Sequence, residues 1–418
     1  METAVSPVSS EVTFEVTPDV LHVAEKAFER GLCPECFGRL LGRYGHGLSN
    51  PERAQRLAVA LGRPLPRLSQ PCAVCGGAFD RWEVWRNRVR TATEGWEYHR
   101  FNCGSRWDPE RLAREEALWI EFGTSWGESA RSAFNRELGK RVEQISGGEG
   151  VTSRPDVVLL ADLPTGRLEL TVLPLYIRGR YRKEDRSLPQ TRWPCRRCKG
   201  RGCDFCGGTG KTYPSSVEEL VGAPFLAATG GEGTRFHGMG REDINARMLG
   251  SGRPFVLEVL RPRRRGVDLA ALEAEVNRTS TGRIDVRELS WSDNAEVIRI
   301  KEATPSKSYR VVVRGAVSDA KVKEALSVVA ARPIAQRTPT RVAHRRADRV
   351  RVRRILAARL VESAADRFTI ELDAESGTYI KEWVEGDAGR TEPSLSELVG
   401  IPLTVEALDV LEIHDRTG

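Results

Sequence analysis

Apolar and polar residues recur along the chain with two different periods, and the period changes near residue 150. Before that point the apolar positions follow helical spacing, with proline near the start or glycine after the end of a segment. Four segments share this pattern: 18–30, 50–62, 108–121 and 127–145. Period-two alternation on both sides of a Pro-Thr-Gly turn then predicts a hairpin, with strands at 156–160 and 167–173.

The remainder of the chain mixes the two periods. Short apolar and partly β-branched runs predict strands in five segments: 255–260, 286–290, 297–301, 308–313 and 367–372. Helical spacing predicts three further helices, at 217–221, 269–277 and 320–330. Helices and strands that alternate in this way indicate a mixed α/β (α+β) domain that is built on one large sheet.

The length of 418 residues fits two or three domains. Hydrophobic residues make up 40% of the chain and charged residues 29%, which are ordinary fractions for a soluble globular protein. No apolar run approaches the roughly 20 residues of a membrane-spanning helix, so we expect no membrane contact. Residues 1–17 are polar and include acids, unlike a signal or transit peptide, and we therefore expect a cytoplasmic protein.

Positive charge is concentrated in one segment. The formal net charge of +7 permits a nucleic-acid partner but does not require one. Between residues 341 and 359, however, eight arginines and one aspartate are interleaved with apolar residues. This segment is either a strand or helix with a solvated basic face, or a surface that neutralises phosphates, for which arginine is well suited.

Eight of the nine cysteines fall into four Cys-x-x-Cys pairs, a spacing that indicates metal ligation in a cytosolic protein. The first two pairs predict one tetrahedral zinc site with four thiolate ligands: Cys33, Cys36, Cys72 and Cys75. The alternative is two unrelated turns with buried cysteines. The other two pairs are interpreted as a compact second zinc knuckle: Cys195, Cys198, Cys203 and Cys206. Whether this second cluster holds metal stays open, and Cys103 is expected to be a free or buried thiol.

Residues 236–261 contain the strongest candidate for chemistry. Gly238 and Gly240 permit a tight turn, which brings Asp243 beside the predicted strand 255–260. The sequence predicts that three arginines surround this aspartate: Arg241, Arg247 and Arg253. Nearby positive charge favours the ionised carboxylate, which suits a nucleophile and a structural salt bridge equally well.

The sequence around Asp243 resembles that of known enzymes. Gly240-Arg-Glu-Asp243 is similar to the Gly-Arg-x-Asp signature of pseudouridine synthases, whose aspartate is catalytic. The longer run from Gly240 to Phe255 resembles the Pus-ten family of archaea and eukaryotes, which acts on the T-arm of tRNA. The resemblance implies a pseudouridine-synthase mixed-sheet catalytic domain, preceded by a zinc-binding, THUMP-like RNA-binding domain. It divides the chain into three parts: an N-terminal accessory domain (1–175), a linker with the second cysteine cluster (176–215) and a catalytic domain (216–418).

A second motif supplies a partner for the aspartate. Residues 376–381, Ser-Gly-Thr-Tyr-Ile-Lys, resemble the Gly-Thr-Tyr-Ile-Arg motif of the bacterial tRNA pseudouridine-55 synthase, with lysine in place of arginine. The resemblance implies that Lys381 pairs with Asp243 and keeps it charged. It also implies that Ile380 packs against the target base.

Other residues are assigned to the RNA substrate by the same resemblance. Tyr309 is expected to stack on the flipped uracil, and its alternative is an ordinary aromatic residue of the core. Leu408 is a weaker candidate for the base pocket, and Arg241 and Arg247 are candidates for substrate binding. Residues 176–183 mix tyrosines with basic residues, which suits stacking on RNA bases together with phosphate contact.

The predicted function is that of a stand-alone tRNA pseudouridine synthase that acts on uridine 55 and, as in archaeal members of the family, on uridine 54. Asp243 is the expected nucleophile, zinc is expected to be structural, and tRNA is the expected partner. We expect no redox or nucleotide cofactor, no DNA and no obligate protein partner. Two alternatives stay open: a non-catalytic zinc-knuckle RNA-binding or RNA-chaperone protein, and a pseudouridine synthase for ribosomal RNA.

Overall fold

The computed structural model describes residues 16–345 and 347–415. The chain divides into two compact units, Met1–Leu173 and Pro174–Gly418, each with its own buried core. Residues 1–15, which form most of the segment 1–17 from which the absence of a targeting peptide was inferred, lie outside the described residues. Among the helices described, none is long and apolar enough to cross a membrane.

The first unit consists of helices around a small mixed sheet. Its helices are α1 (Pro18–Glu29), α2 (Pro34–Leu40), α3 (Asn50–Ala60), α4 (Trp82–Thr93), α5 (Pro109–Phe122) and α6 (Ala130–Ser146). Its strands are β1 (Arg100–Arg106), β2 (Glu149–Gly150), β3 (Val157–Asp162) and β4 (Arg167–Val172), in the order β2-β1-β3-β4. Strand β1 is parallel to β2 and β3, whereas β3 and β4 form an antiparallel hairpin. The four predicted helices and the predicted hairpin are therefore confirmed.

The core of the first unit is built around Phe134 on α6, whose side chain is fully buried. Its ring stacks on Trp82 with centroids 4.9 Å apart, and it meets Trp85 and Trp107 edge-on at 5.7 and 5.9 Å. Offset stacked and edge-to-face aromatic pairs are both favourable, and each ring buries a large apolar area. The cluster thus joins α4, α6 and the segment after β1.

The second unit contains two sheets and the helices packed on them. Its helices are α7 (Val217–Thr229), α8 (Leu269–Thr279), α9 (Asn294–Glu302), α10 (Asp319–Ala331), α11 (Ile380–Glu385) and α12 (Leu395–Val399). Its strands are β5 (Leu175–Lys183), β6 (Gly233–Gly238), β7 (Arg247–Leu260), β8 (Ile284–Trp291), β9 (Lys307–Arg314), β10 (Ile334–Arg337), β11 (Val350–Arg353), β12 (Ile355–Ser363), β13 (Arg367–Ala374), β14 (Thr391–Glu392) and β15 (Thr404–Ile413).

The larger sheet of the second unit has eight strands and is mixed. The order is β12-β13-β9-β15-β7-β5-β8, with β6 paired to β7. Strand β15 runs parallel to β7 and antiparallel to β9. A smaller sheet follows the order β11-β10-β14. The predicted architecture, a mixed α/β domain on one large sheet, is confirmed.

Strand β5 corrects the predicted boundary between linker and catalytic domain. It pairs with β7 on one side and β8 on the other, so residues 176–183 form an inner strand of the large sheet. Tyr181 is fully buried there, and its predicted stacking on RNA is therefore wrong. A tyrosine in a basic strand was taken for a surface residue because the sequence does not reveal its neighbours in the sheet.

Two predicted elements have the wrong type or length. Residues 297–301 lie in α9 rather than in a strand: Asp293 caps this helix, and Val297 and Ile300 are buried at helical spacing. Five residues with three apolar positions fit either period, which explains the error. Helix α7 continues through Pro224 to Thr229 instead of ending near residue 221, because its buried face continues beyond the proline.

Strand β7 begins earlier than predicted and passes through the second glycine pair. Gly250 has a positive φ of 56°, and a Cβ there would lie 1.9 Å from the carbonyl oxygen of Leu411 on β15. Glycine therefore allows the close approach of β15 to β7. This contact places the C-terminal strand beside the segment that carries Asp243.

Replacing Phe134 with alanine is expected to destabilise the first unit by about 3–5 kcal/mol, because a fully buried phenylalanine leaves a cavity. Tryptophan fluorescence during urea unfolding measures this loss, since the ring contacts three tryptophans. The matched control is Ile120→Ala, which removes a side chain that is 82% exposed and is expected to change stability by about 0.5 kcal/mol or less. Equal effects of the two substitutions would contradict the central position of Phe134.

Candidate active site

The turn that carries Asp243 lies between β6 and β7 and is held by its buried neighbour, Glu242. The Glu242 carboxylate accepts hydrogen bonds from the Tyr181 hydroxyl at 2.9 Å and from Nε of Arg253 at 2.9 Å. Arg253 also donates to the carbonyl oxygen of Met239 at 2.7 Å, on the other side of the turn. The side chains of Glu242 and Arg253 are each only 1% exposed, so this network fixes the turn from inside the unit.

Two side chains from β5 and the segment after it also hold the turn. Lys183 donates to the carbonyl oxygen of Ile244 at 2.8 Å, and Gln190 donates to that of Gly240 at 3.0 Å. Gly240 has a positive φ of 74°, which residues with a Cβ rarely adopt. Glycines predict the tight turn from sequence, but the residues that anchor it lie 50 and 61 positions away along the chain.

Asp243 itself lies between two cations. Its Oδ1 is 3.0 Å from Nη1 of Arg341, and its Oδ2 is 3.1 Å from Nζ of Lys381, at the start of α11. Nζ of Lys381 also donates to Oδ1 of Asn245 at 2.9 Å. Burial opposes ionisation, but the charges of Arg341 and Lys381 outweigh it and hold the pKa of Asp243 below its ordinary value. The carboxylate is 30% exposed and accessible to a ligand.

Arg341 is the residue of this site that sequence reasoning did not single out. Its Nε donates to the buried carboxylate of Glu382 while its Nη1 contacts Asp243, so one guanidinium joins two acids. Burial acts to lower the pKa of Arg341, but the hydrogen bond to Glu382 and the charge of Asp243 raise it above the ordinary value. Arg341 is the first of eight arginines in the basic segment 341–359. The sequence alone gave no reason to select one of them as a partner of Asp243.

The arginines that sequence placed around Asp243 have other partners. Arg247 binds Asp409 at 2.6 Å, and Arg253 binds Glu242. Arg241 is exposed, and its guanidinium lies 5.8 Å from the centre of the Trp193 ring. The predicted ring of three arginines is therefore wrong: two of them are bound by buried carboxylates other than Asp243, namely Asp409 on β15 and Glu242 in the turn itself.

A cavity of about 680 Å³ opens beside Asp243. Its apolar wall comes from three elements, β9, α11 and β15: Tyr309, Ile380, Leu408 and Val410. Its basic residues come from the turn, β7, β9, the basic segment and α11: Arg241, Arg253, Lys307, Arg341, Arg351, Arg353 and Lys381. The structure thus brings together most of the site residues that sequence suggested, and Arg241 also lines the cavity. Among the described residues, Arg247 is not one of those that line this cavity.

Two titratable groups on β9 are affected by their burial in this wall. Burial raises the pKa of Tyr309 to about 12, with Arg253 acting in the opposite direction. The phenol is therefore neutral at physiological pH. Burial and the charge of Arg253 lower the pKa of Lys307 to about 8, and its Nζ donates to the carbonyl oxygen of Pro305 at 3.1 Å.

Comparison with known proteins identifies the family. Residues 176–414 match the family model described as "Pus10, C-terminal", and residues 85–162 match "Pus10 THUMP domain, archaeal". The chain is 39% identical to the tRNA pseudouridine synthase Pus10 of Methanopyrus kandleri over 96% of this chain and 99% of that protein. It is 42% identical to the protein of the same name from Methanothermobacter marburgensis, over 92% and 95%. The chain belongs to the Pus10 family.

Membership of the Pus10 family confirms the resemblance on which the sequence interpretation relied. These relatives are named as tRNA pseudouridine synthases, which are isomerases. The THUMP match covers α4 to β3 of the first unit. Among solved structures, a chain of a Cbf5-Nop10-Gar1 complex has 15% identity and a TM-score of 0.29, over 47% of this chain and 45% of that chain. That similarity is too low to support an argument.

The four cysteines of the first predicted zinc site come together in the first unit: Cys33, Cys36, Cys72 and Cys75. Within the described residues their sulphur atoms lie within 4.8 Å of one another, and those of Cys33 and Cys75 are 3.7 Å apart. Four thiolates around zinc at about 2.3 Å are separated by about 3.8 Å, whereas a disulfide joins sulphurs at about 2.05 Å. The arrangement fits a tetrahedral metal ion, and a metal ion could be held there.

The second cluster has the same character in the second unit. Its four sulphur atoms also lie within 4.8 Å of one another, with pairs at 3.7 to 4.0 Å: Cys195, Cys198, Cys203 and Cys206. Backbone N–H groups of Gly202 and Gly210 each point at a cluster sulphur from 3.2 Å, as suits a thiolate. Cys103 belongs to neither cluster, and burial raises the pKa of its thiol to about 12.

Arg341→Gln is expected to raise the pKa of Asp243, because one of its two cations is lost while its burial remains. The Asp243 carboxylate would then take up a proton at a higher pH than in the wild type. Carbon-13 NMR of protein labelled at aspartate carboxyls measures this titration.

The matched control for this prediction is Arg310→Gln. Arg310 on β9 pairs with Glu371 on β13 at 2.7 Å and is 46% exposed. Its loss therefore removes an equal charge that is paired with a different carboxylate. We expect the control to leave the Asp243 pKa unchanged. An identical Asp243 titration in the two variants would show that Arg341 does not hold the carboxylate ionised.

Proposed function

We propose that this Pus10-family protein converts uridine 55 in the T-arm of tRNA, and also uridine 54, to pseudouridine, with Asp243 as the nucleophile. The observation that supports this most directly is a partly exposed carboxylate held between Arg341 and Lys381, at 3.0 and 3.1 Å, beside an apolar wall. A structural salt bridge needs neither a cavity nor two cations on one carboxylate. The family membership supports the reaction and the tRNA substrate.

The reaction begins with a uridine that is flipped out of its stack, since the sugar and base are otherwise out of reach. In one route an oxygen of Asp243 attacks C1′ and forms a bond there, while the bond from C1′ to N1 breaks with its electron pair on uracil. In the other route Asp243 removes the 2′ proton and the base leaves to give a glycal. Both routes require the ionised carboxylate that Arg341 and Lys381 favour.

The second half of the reaction rejoins the base through carbon. The freed uracil turns, C5 bonds to C1′, and the bond to Asp243 breaks or the glycal is reprotonated. C5 then loses its proton and N1 takes up a proton, so the product is an isomer of the substrate. The apolar wall of the cavity suits this rotation, because it can hold the uracil ring without forming hydrogen bonds to one edge of the base.

We assign the wall to the uracil ring. Tyr309 stacks on the base, and Ile380 and Leu408 pack against it, since all three line the cavity beside Asp243. Arg241 lies at the edge of the site and is available to a phosphate. Arg247 is paired with Asp409 and supports β15 rather than the substrate.

The remaining assignments concern the tRNA and the metal. The THUMP-type region and the basic residues of segment 341–359 bind tRNA through its shape and phosphates. Each cysteine cluster holds one zinc ion, and with four thiolates the zinc has no open position for substrate. Zinc is therefore structural, and the protein works in the cytoplasm without a redox or nucleotide cofactor or an obligate protein partner.

Asp243→Asn is expected to abolish pseudouridine formation in an unmodified tRNA transcript, by a factor of at least about 10⁴, while binding the transcript within about threefold of the wild type, because the nucleophile acts only in the reaction. Pseudouridine mapping at single-nucleotide resolution measures the product, and fluorescence anisotropy measures the affinity. Product at 54, 55 or both also decides the position.

The control for this experiment is Asp366→Asn, which changes an exposed aspartate in the turn between β12 and β13. We expect it to retain full activity. If Asp243→Asn also kept its activity, Asp243 would not be the nucleophile. If the wild type bound tRNA without modifying it, a binding protein or a synthase for ribosomal RNA would become the better explanation.

Cys33→Ser is expected to lower the zinc content from two ions per chain to one and to destabilise the first unit, because a four-thiolate site loses a ligand. The matched control is Cys103→Ser, which changes a cysteine outside both clusters and is expected to keep two zinc ions. Metal analysis of the purified proteins measures the content. Two zinc ions in the Cys33→Ser protein would contradict this assignment.

A further inference from the structure

The second cysteine cluster lies in a distinct loop, residues 193–213, which we call the cysteine finger. Its base is closed by two backbone hydrogen bonds, from Cys195 N to Gly210 O at 2.7 Å and from Thr212 N to Trp193 O at 2.9 Å. The rings of Trp193 and Tyr213 meet edge-on at 5.6 Å across this base. The cysteine cluster and the contacts at the base account for the conformation of the finger. Its other side chains are not needed for that conformation.

One aromatic side chain of the cysteine finger has no structural role of this kind. Phe205, in the short turn between Cys203 and Cys206, is 63% exposed. The guanidinium of Arg197 lies over its ring, 4.6 Å from the centre. Phe205, Arg197 and Arg201 border a concavity of about 400 Å³. An exposed phenylalanine with a guanidinium beside it offers a flat apolar face and a positive charge together.

The surface around Phe205 is basic. The finger carries four exposed cations, of which Arg197 and Arg201 border the same concavity as Phe205, and within the described residues no ion pair with a carboxylate is formed by any of the four: Arg196, Arg197, Lys199 and Arg201. Lys211, near the base, is instead paired with Glu219. The only acidic residue between positions 193 and 213 is Asp204. Since many exposed arginines of the same unit are paired, the unpaired group on the finger is suited to bind an anion.

The base of the cysteine finger adjoins the candidate active site. Arg241, two residues before Asp243, places its guanidinium 5.8 Å from the Trp193 ring. A second cavity of about 260 Å³ is bordered by both Trp193 and Asp243. The base of the finger and Asp243 therefore border the same cavity, so a ligand at Asp243 has the finger as a neighbour.

We propose that the cysteine finger binds an unpaired nucleotide of the RNA substrate, in the same strand as the target uridine. Phe205 stacks on the base, and Arg196, Arg197, Lys199 and Arg201 contact the flanking phosphates. Aromatic side chains beside arginine are typical of proteins that bind single-stranded RNA, because each base presents a face to stack on. The identity of the RNA rests on the proposed function, but the binding element does not.

Phe205→Ala, made in the full chain, is expected to weaken binding of an unmodified tRNA transcript by about 5- to 100-fold, which is the usual effect of removing one stacking partner. Phe205→Tyr keeps a flat ring and is expected to restore wild-type affinity. The matched control is Ile298→Ala on α9, which removes a side chain that is 49% exposed and is expected to have no effect. Fluorescence anisotropy gives the affinities, and metal analysis checks that zinc is retained.

The basic residues are tested by salt dependence. Replacing Arg196, Arg197 and Arg201 with glutamine is expected to reduce the slope of log Kd against log salt by about 0.7 for each lost single-strand phosphate contact. An unchanged slope would overturn the assignment of these residues to phosphates.

Wild-type protein provides a second test that does not depend on a stable variant. A tRNA transcript that contains 4-thiouridine is irradiated with the protein, and the crosslinked peptides are identified. Crosslinks within 193–213 support the proposal. Crosslinks confined to other segments, or wild-type affinity in a zinc-retaining Phe205→Ala protein, would overturn it. If Phe205→Ala loses its zinc, the crosslinks alone decide.

These outcomes are separable from those of the proposed function. A wild-type protein that makes pseudouridine while Phe205→Ala binds normally would refute the cysteine finger alone. A wild-type protein that makes no pseudouridine, although Phe205→Ala loses RNA affinity, would refute the proposed reaction alone.

Discussion

The buried ion pair between Glu242 and Arg253 is the interaction on which the geometry of the site depends. Removing two charges from water costs several kcal/mol for each ion, and the pair repays this only when its remaining hydrogen-bonding groups are satisfied. Tyr181 contributes a hydroxyl to Glu242, and Arg253 reaches the Met239 carbonyl as well. The network spans the turn at Gly240, so the backbone cannot rotate without breaking it. Asp243, the next residue, is thereby directed out of the core.

A second group of charged residues surrounds the carboxylate of Asp243, and its role differs from that of the buried pair. Asp243 and Glu382 are joined by Arg341, and Lys381 completes a set with two acids and two bases. Because Glu382 also binds Arg341, this guanidinium is held in place independently of Asp243. Lys381 has a corresponding second contact, with Asn245. Each cation is thus held by a group other than Asp243, which leaves the carboxylate oxygens accessible between them.

Features that depend on residues close together in the sequence could be predicted from it, whereas features that depend on residues far apart could not. The turn at Asp243 and each of the four Cys-x-x-Cys pairs depend on spacings of a few residues, and these were recognised from the residues alone. The partner Arg341 lies 98 positions from Asp243 and is one of eight arginines in a segment of similar composition, so only the folded chain distinguishes it. Strand β5 was misassigned for the same reason, since its place depends on β7 and β8. Residues 297–301 failed differently: the segment is too short for its period to be defined.

The two cysteine clusters stand in contrasting surroundings, and this decides what each contributes. Cys33, Cys36, Cys72 and Cys75 are all buried among the core residues of the first unit, where a metal would add to an existing apolar core. The cysteine finger buries little besides Cys195 and Cys198, and its large apolar residue Phe205 points to solvent. A loop of this length buries too little apolar area to order itself, whereas a metal ion held by its four cysteines would cross-link it. A loop ordered by a metal site rather than by packing would leave its other side chains exposed to solvent, where they can contact a ligand.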